Sequence, residues 1–157
     1  YILIGHSERR LYNLEDNKVL KNKLLVSQRS SLNIIFCVGE NLRQYKQKKG
    51  KEFVRKQLSN IFPSRFKFEK LIIAYEPVWA IGKNRIPKIQ EIREISEYIK
   101  KFVYKKYNFD NIPVLYGGSV NSKNSTAIFN IKSIDGALVG GASLNASEFK
   151  KIYDTLN

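Results

Sequence analysis

Methionine is absent from all 157 residues, the first included, and cysteine, histidine and tryptophan each occur once. A primary translation product begins with methionine, so the chain is expected to be processed, trimmed or part of something longer. One cysteine, Cys37, excludes an internal disulfide and accords with a reducing compartment. One histidine, His6, excludes a multi-histidine metal site. No apolar run approaches the roughly 20 residues that cross a bilayer, so no membrane partner is expected. Tyr1-Ile2-Leu3-Ile4 lacks the charged flank and cleavage site of a signal peptide. Acidic residues are scarce: 14 against 28 Lys and Arg, for a formal net charge of +14.

That charge admits an anionic partner such as nucleic acid, or a basic, non-catalytic binding module. The lysines, however, are spread through helical segments: Lys18, Lys21, Lys23, Lys100, Lys101, Lys105 and Lys106. The densest run, Lys46 to Lys51, has none of the interleaved aromatics of a single-strand binder. A solvated, lysine-rich helical surface is the expectation, with no nucleic-acid partner.

Apolar residues make up 43% of the chain, enough for a core. They include five short runs that end in polar or glycine-rich tips. Tyr1–Ile4 ends in Gly5-His6-Ser7-Glu8-Arg9-Arg10, and Ile34–Phe36 in Cys37-Val38-Gly39-Glu40. Leu71–Ala74 ends in Tyr75-Glu76-Pro77, Val114–Tyr116 in Gly117-Gly118-Ser119, and Ala137–Val139 in Gly140-Gly141. Helical patterns separate the runs. The clearest carries Ile89, Ile92, Ile95, Ile99, Phe102 and Val103 on one face. Asn121 is the expected cap of a short helix through Phe129, and Ser147-Glu148 the expected start of the last.

Five βα units over residues 1–157 predict an α/β domain with a parallel sheet covered by helices. Either a small doubly wound sheet or part of a (βα)₈ barrel satisfies that order. The glycine pairs fall in the last two units, where such a barrel keeps its phosphate site, which favours five of eight barrel units.

Several residues carry the candidate chemistry. Glu76 stands at a strand tip before Pro77, which cannot extend the ladder, and before Trp79 and Gly82, an anchor and a flexible point for a hinged loop. A carboxylate kept dry there is a stronger base, suited to taking a proton from carbon beside a carbonyl. His6 precedes a helix start, where backbone dipoles keep an imidazole neutral and able to polarise a carbonyl. Cys37 is either a packing residue or a nucleophile paired with His6. Gly117-Gly118-Ser119 and Gly140-Gly141 offer backbone N–H groups to a phosphate. Glu8, Arg9, Arg10 and Glu40 are expected to brace the loops as an ion-pair network.

These pieces, in this order, resemble the triosephosphate isomerase family over essentially the whole chain, with Ala74–Gly82 and Asp135–Leu144 among the matching segments. The resemblance implies a TIM barrel represented by its units 4 to 8. It implies interconversion of dihydroxyacetone phosphate and D-glyceraldehyde 3-phosphate through an enediolate, without a cofactor or metal, in the cytoplasm. Glu76 would be the base and His6 the electrophile. Gly82, Ser119, Gly140 and Gly141 would hold phosphate, and Ser7 and Glu8 would support the site. After Gly82 the family continues Thr-Gly-Lys, where this chain has Lys83-Asn84-Arg85-Ile86-Pro87. That departure implies altered loop closure and slow turnover. The family's active-site lysine and asparagine belong to its first unit and its main dimer loop to the third. Without them the isolated chain is expected to be inactive.

Overall fold

The computed structural model describes residues 1–64, 66–82 and 85–156. Five strands alternate with helices: β1 (Ile2–Ile4), α1 (Ser7–Tyr12), α2 (Asn17–Ser27), β2 (Ile34–Val38), α3 (Leu42–Lys46), α4 (Gly50–Ile61), β3 (Leu71–Tyr75), α5 (Ile89–Tyr107), β4 (Val114–Tyr116), α6 (Ser125–Phe129), β5 (Gly136–Ala137), a 3₁₀ turn (Gly141–Leu144) and α7 (Ala146–Tyr153). The strands form one parallel sheet in the order β1-β2-β3-β4-β5. A doubly wound sheet reverses its strand order at a switch point. Here each new strand joins the same edge, as successive strands of a barrel do.

Strands β2 and β3 are buried along nearly their whole length, the pattern of parallel strands covered on both faces. They run further than the apolar clusters predict, to Val38 and Tyr75, because both residues pair across the sheet. Strand β5 is shorter than its apolar run, and Leu138 already lies beyond it. On α5, Ile92, Ile95, Ser96, Ile99 and Val103 face the core at helical spacing. Asn108 closes that helix in the left-handed conformation (φ 50°). Phe62, Phe66, Phe68, Tyr107 and Phe109 pack ring against ring near the amino ends of β3 and β4, away from the strand tips.

Two helix starts differ from expectation. Asn121 is not the cap of α6; its side chain accepts from the amides of Lys123 and Asn124, forming a turn that delays the helix to Ser125. Helix α7 is capped by Asn145, which accepts from the Glu148 amide.

Among the described residues strands β1 and β5 each have one neighbour, so two edges are open. Leu3 beside one edge and Leu144 beyond the other are 40% and 91% exposed. The purified 157-residue chain is expected to self-associate at about tens of micromolar, as species with unpaired edges and bare apolar surface do. Sedimentation velocity checks this, and a clean monomer throughout that range contradicts it.

Candidate active site

Glu76 continues the ladder one residue past β3, its amide donating to the Val38 carbonyl (2.7 Å). The residue is 2% exposed. Two flanking glycines make room for it. A Cβ at Gly39 would lie 1.6 Å from the Glu76 carbonyl oxygen, and one at Gly117 would lie 2.9 Å from its Cγ. The two carboxylate oxygens differ. Oε2 accepts from the Ser7 amide at the start of α1 (3.0 Å). Oε1 is buried without a hydrogen bond and stands 3.2 Å from His6 Nε2. Burial pushes the Glu76 carboxyl above its ordinary range; His6, the Ser7 amide, Cys37 and Arg10 pull it part of the way back.

Arg10 braces the tips beneath this pair. Its Nε donates to the Gly5 carbonyl (2.7 Å) and its Nη2 to the Cys37 carbonyl (2.9 Å). Cys37 is fully buried, and burial followed by the Glu76 charge holds its thiol in the protonated form. The structure therefore gives no support to a Cys37–His6 nucleophile pair: the cysteine packs against the glutamate.

A cavity of about 560 Å³ opens above Glu76. Its lining includes His6, Glu8, Gly82, Ser119, Gly140 and Gly141. Ser7 takes part through its amide on Glu76. Among the described residues, the amides of Ser119 and Gly140 have no hydrogen-bond acceptor. A Cβ at Gly140 or Gly141 would meet nothing within 4 Å. That end of the cavity is lined by bare backbone with room in front of it, which suits an anion. Lys83 and Asn84 lie outside the described residues, and Arg85 is exposed and away from the cavity lining.

The bracing carboxylate, Glu40, works differently from expectation. It is 2% exposed, and its Oε1 accepts from Trp79 Nε1 (2.7 Å) and the Tyr75 hydroxyl (3.1 Å). Both donors are neutral, so this is a hydrogen-bond brace and not an ion pair. The ion pairs nearby belong to Glu15, which receives Arg9 and Lys23. The Val78 amide also donates to the Glu40 carbonyl (3.1 Å), so the loop after Glu76 is fixed to the tip of β2.

Gly39 had no assigned role in the sequence. Its signal lay in register: Val38 faces Tyr75, so the next residues, Gly39 and Glu76, must also meet.

The geometry has a counterpart among known proteins. A family model described as triosephosphate isomerase matches residues 1–156. The chain belongs to the triosephosphate isomerase family. It is 40% identical to the triosephosphate isomerase of Bacteroides fragilis, over 100% of this chain and 64% of that protein. It is 45% identical to that of Mesomycoplasma hyopneumoniae, over 97% and 60%. A crystal structure of triosephosphate isomerase from Bartonella henselae superposes with a TM-score of 0.88 at 33% identity, over 99% of this chain and 63% of that one. The chain thus spans about 64% of the length of the first of these relatives, and its five units overlay that portion of a triosephosphate isomerase barrel.

Two outcomes follow from the packing and charge of this family member. Gly39→Ala drives a methyl into backbone and is expected to cost at least about 1–3 kcal/mol. Gly141→Ala enters open space and stays within about 0.5 kcal/mol. Urea unfolding distinguishes them, and equal losses would show that the close approach at Gly39 is not real. The second concerns Glu40, whose carboxyl burial raises above its ordinary 4.5. A buried carboxyl with a raised pKa gives stability that is present below about 4.5 and is lost as pH rises through the folded value. Glu40→Gln removes that titration. Its stability relative to wild type is expected to improve from pH 4 to pH 7, and the reverse trend in unfolding midpoints contradicts the burial argument.

Proposed function

We propose that the protein interconverts dihydroxyacetone phosphate and D-glyceraldehyde 3-phosphate, the activity carried by the names of its relatives. The supporting observation is the unpartnered Oε1 of Glu76, 3.2 Å from His6 Nε2, within a cavity whose far wall is glycine backbone. A carboxylate oxygen with no hydrogen bond among the described residues and little water is a strong base. In the reaction Glu76 takes a proton from the carbon beside the carbonyl and returns it to the adjacent carbon, so no redox partner is needed. The electron pair left by that proton moves onto the carbonyl oxygen, giving an enediolate. His6, carrying its proton on Nε2, donates to that oxygen, and the proton of the neighbouring hydroxyl passes to it, so that carbonyl and hydroxyl exchange places as the carbon is reprotonated. This pairing of carboxylate base and neutral imidazole is the established chemistry of triosephosphate isomerases. Amides at Gly82, Ser119, Gly140 and Gly141 hold the phosphate, and Glu8 lines the mouth. No cofactor enters the scheme.

The same reading makes residues 1–157 units 4 to 8 of an eight-unit barrel. The lysine and asparagine of the family's first unit would complete the site, and the third unit would supply the contact of a homodimer. The compartment is the cytoplasm, the place of glycolysis and gluconeogenesis. The isolated chain is then inactive.

The test supplies the missing part. The chain is mixed with a segment of three βα units bearing Asn-x-Lys after its first strand, and isomerisation is assayed. Activity is expected in the mixture and not in either part. Glu76→Gln in the mixture is expected to lower kcat by about 10²- to 10⁴-fold, the range for losing a positioned general base. A reassembled barrel whose activity is unchanged by that substitution sinks the proposal.

A further inference from the structure

Residues 77–82 leave the sheet after Glu76, and residues 85–88 lead into α5. Ile81 and Gly82 line the cavity above Glu76. Where they lie depends on how both ends of the loop are held. Glu40 holds only the first end, through Trp79 and Val78.

Tyr45, on α3, touches both ends. Its ring stacks on Trp79 with centroids 3.8 Å apart and planes at 21°. Its hydroxyl donates to Glu91 Oε1 (2.9 Å). The other oxygen of Glu91, Oε2, accepts from the Lys88 amide (2.8 Å), capping α5 where the loop ends. A continuous path, Trp79 to Tyr45 to Glu91 to Lys88, therefore joins the two segments through a helix that belongs to neither β3 nor α5. The Glu91 contact also raises the Tyr45 pKa, keeping the hydroxyl in its donating form.

We propose that Tyr45 is a positioning residue for the Glu76 site: it ties the segment just after Glu76 and the start of α5 to one helix, so that the place of Ile81 and Gly82 at the cavity over the base is set from α3. This rests on the isomerase reading for its purpose, and not for its geometry. Stacking and the hydroxyl bond act on different ends, so the two can be separated by substitution.

Hydrogen exchange read by mass spectrometry on the protein without substrate makes the separation. In Tyr45→Leu, amides at the first end (Val78, Ala80) and the second (Glu91, Ile92) are expected to exchange about two- to tenfold faster. Amides of β2 and β3 keep their wild-type rates. Tyr45→Phe retains the ring and is expected to loosen only the second end, by a similar factor. Should Tyr45→Leu fail to fold, the Phe variant decides alone. Unchanged exchange at the second end in Tyr45→Phe overturns the proposal. So does acceleration at one end only in Tyr45→Leu, or an equal rise across the sheet, which would make Tyr45 an ordinary packing residue. None of these readouts requires catalysis, so the expected pattern in a chain that stays inactive when mixed with the three missing units would count against the isomerase reading and leave this one standing.

Discussion

A carboxylate removed from water needs either a positive partner or fixed donors, and each missing contact costs it solvation. At Glu76 the donors are unequally divided. One oxygen is held by a backbone amide at the start of α1, while the other faces a histidine and an open cavity without a hydrogen bond. The half-satisfied state is tolerable because the rest of the glutamate is fixed on every side. Its amide is in the ladder, its backbone is pressed by Gly39 and its Cγ by Gly117. The group cannot swing away to find a second donor. Rigid surroundings hold the base in a state that a flexible side chain would leave.

That rigidity comes from strand order. Parallel strands added one after another put their carboxyl tips side by side, so residues distant in sequence meet at one end. His6, Gly39, Glu76 and Gly117 each follow a different strand and stand within contact of the same carboxylate or its backbone. The glycines are required on the strands that flank Glu76, where backbone approaches backbone. At Gly140 and Gly141 no atom of the described residues fills the space a side chain would take. The first kind of glycine is explained by the close packing of the fold.

Much of this is legible in the order of residues alone. Apolar runs ending in polar tips mark five strands, and Glu76 before Pro77 marks a carboxylate at a tip. What escapes is whatever depends on contacts between units. Gly39 looks like a turn glycine until β2 is set against β3. Tyr45 and Glu91 are 46 positions apart and look like ordinary surface residues of two amphipathic helices; only the packing of α3 against the loop joins them. Glu40 is expected among ion pairs because it shares the strand tips with Glu8, Arg9 and Arg10, yet its partners in space are a tyrosine and a tryptophan. Local errors had local causes. Asn121 has the right side chain for a cap, but its oxygen serves the turn that comes first.

Charge completes the picture. The chain has only 14 acidic residues, and among the described residues three of them, Glu15, Glu40 and Glu76, are buried. Burial raises the carboxyls of Glu40 and Glu76 above their ordinary range. The exposed charge is weighted toward lysine and arginine, and the field around the molecule is positive. Such a field raises the local concentration of anions near the cavity, with a reach set by ionic strength. An anion would be drawn in by charges that never touch it. The backbone amides at the strand tips can orient such an anion, and they carry no side-chain charge that would compete with Glu76 for a proton.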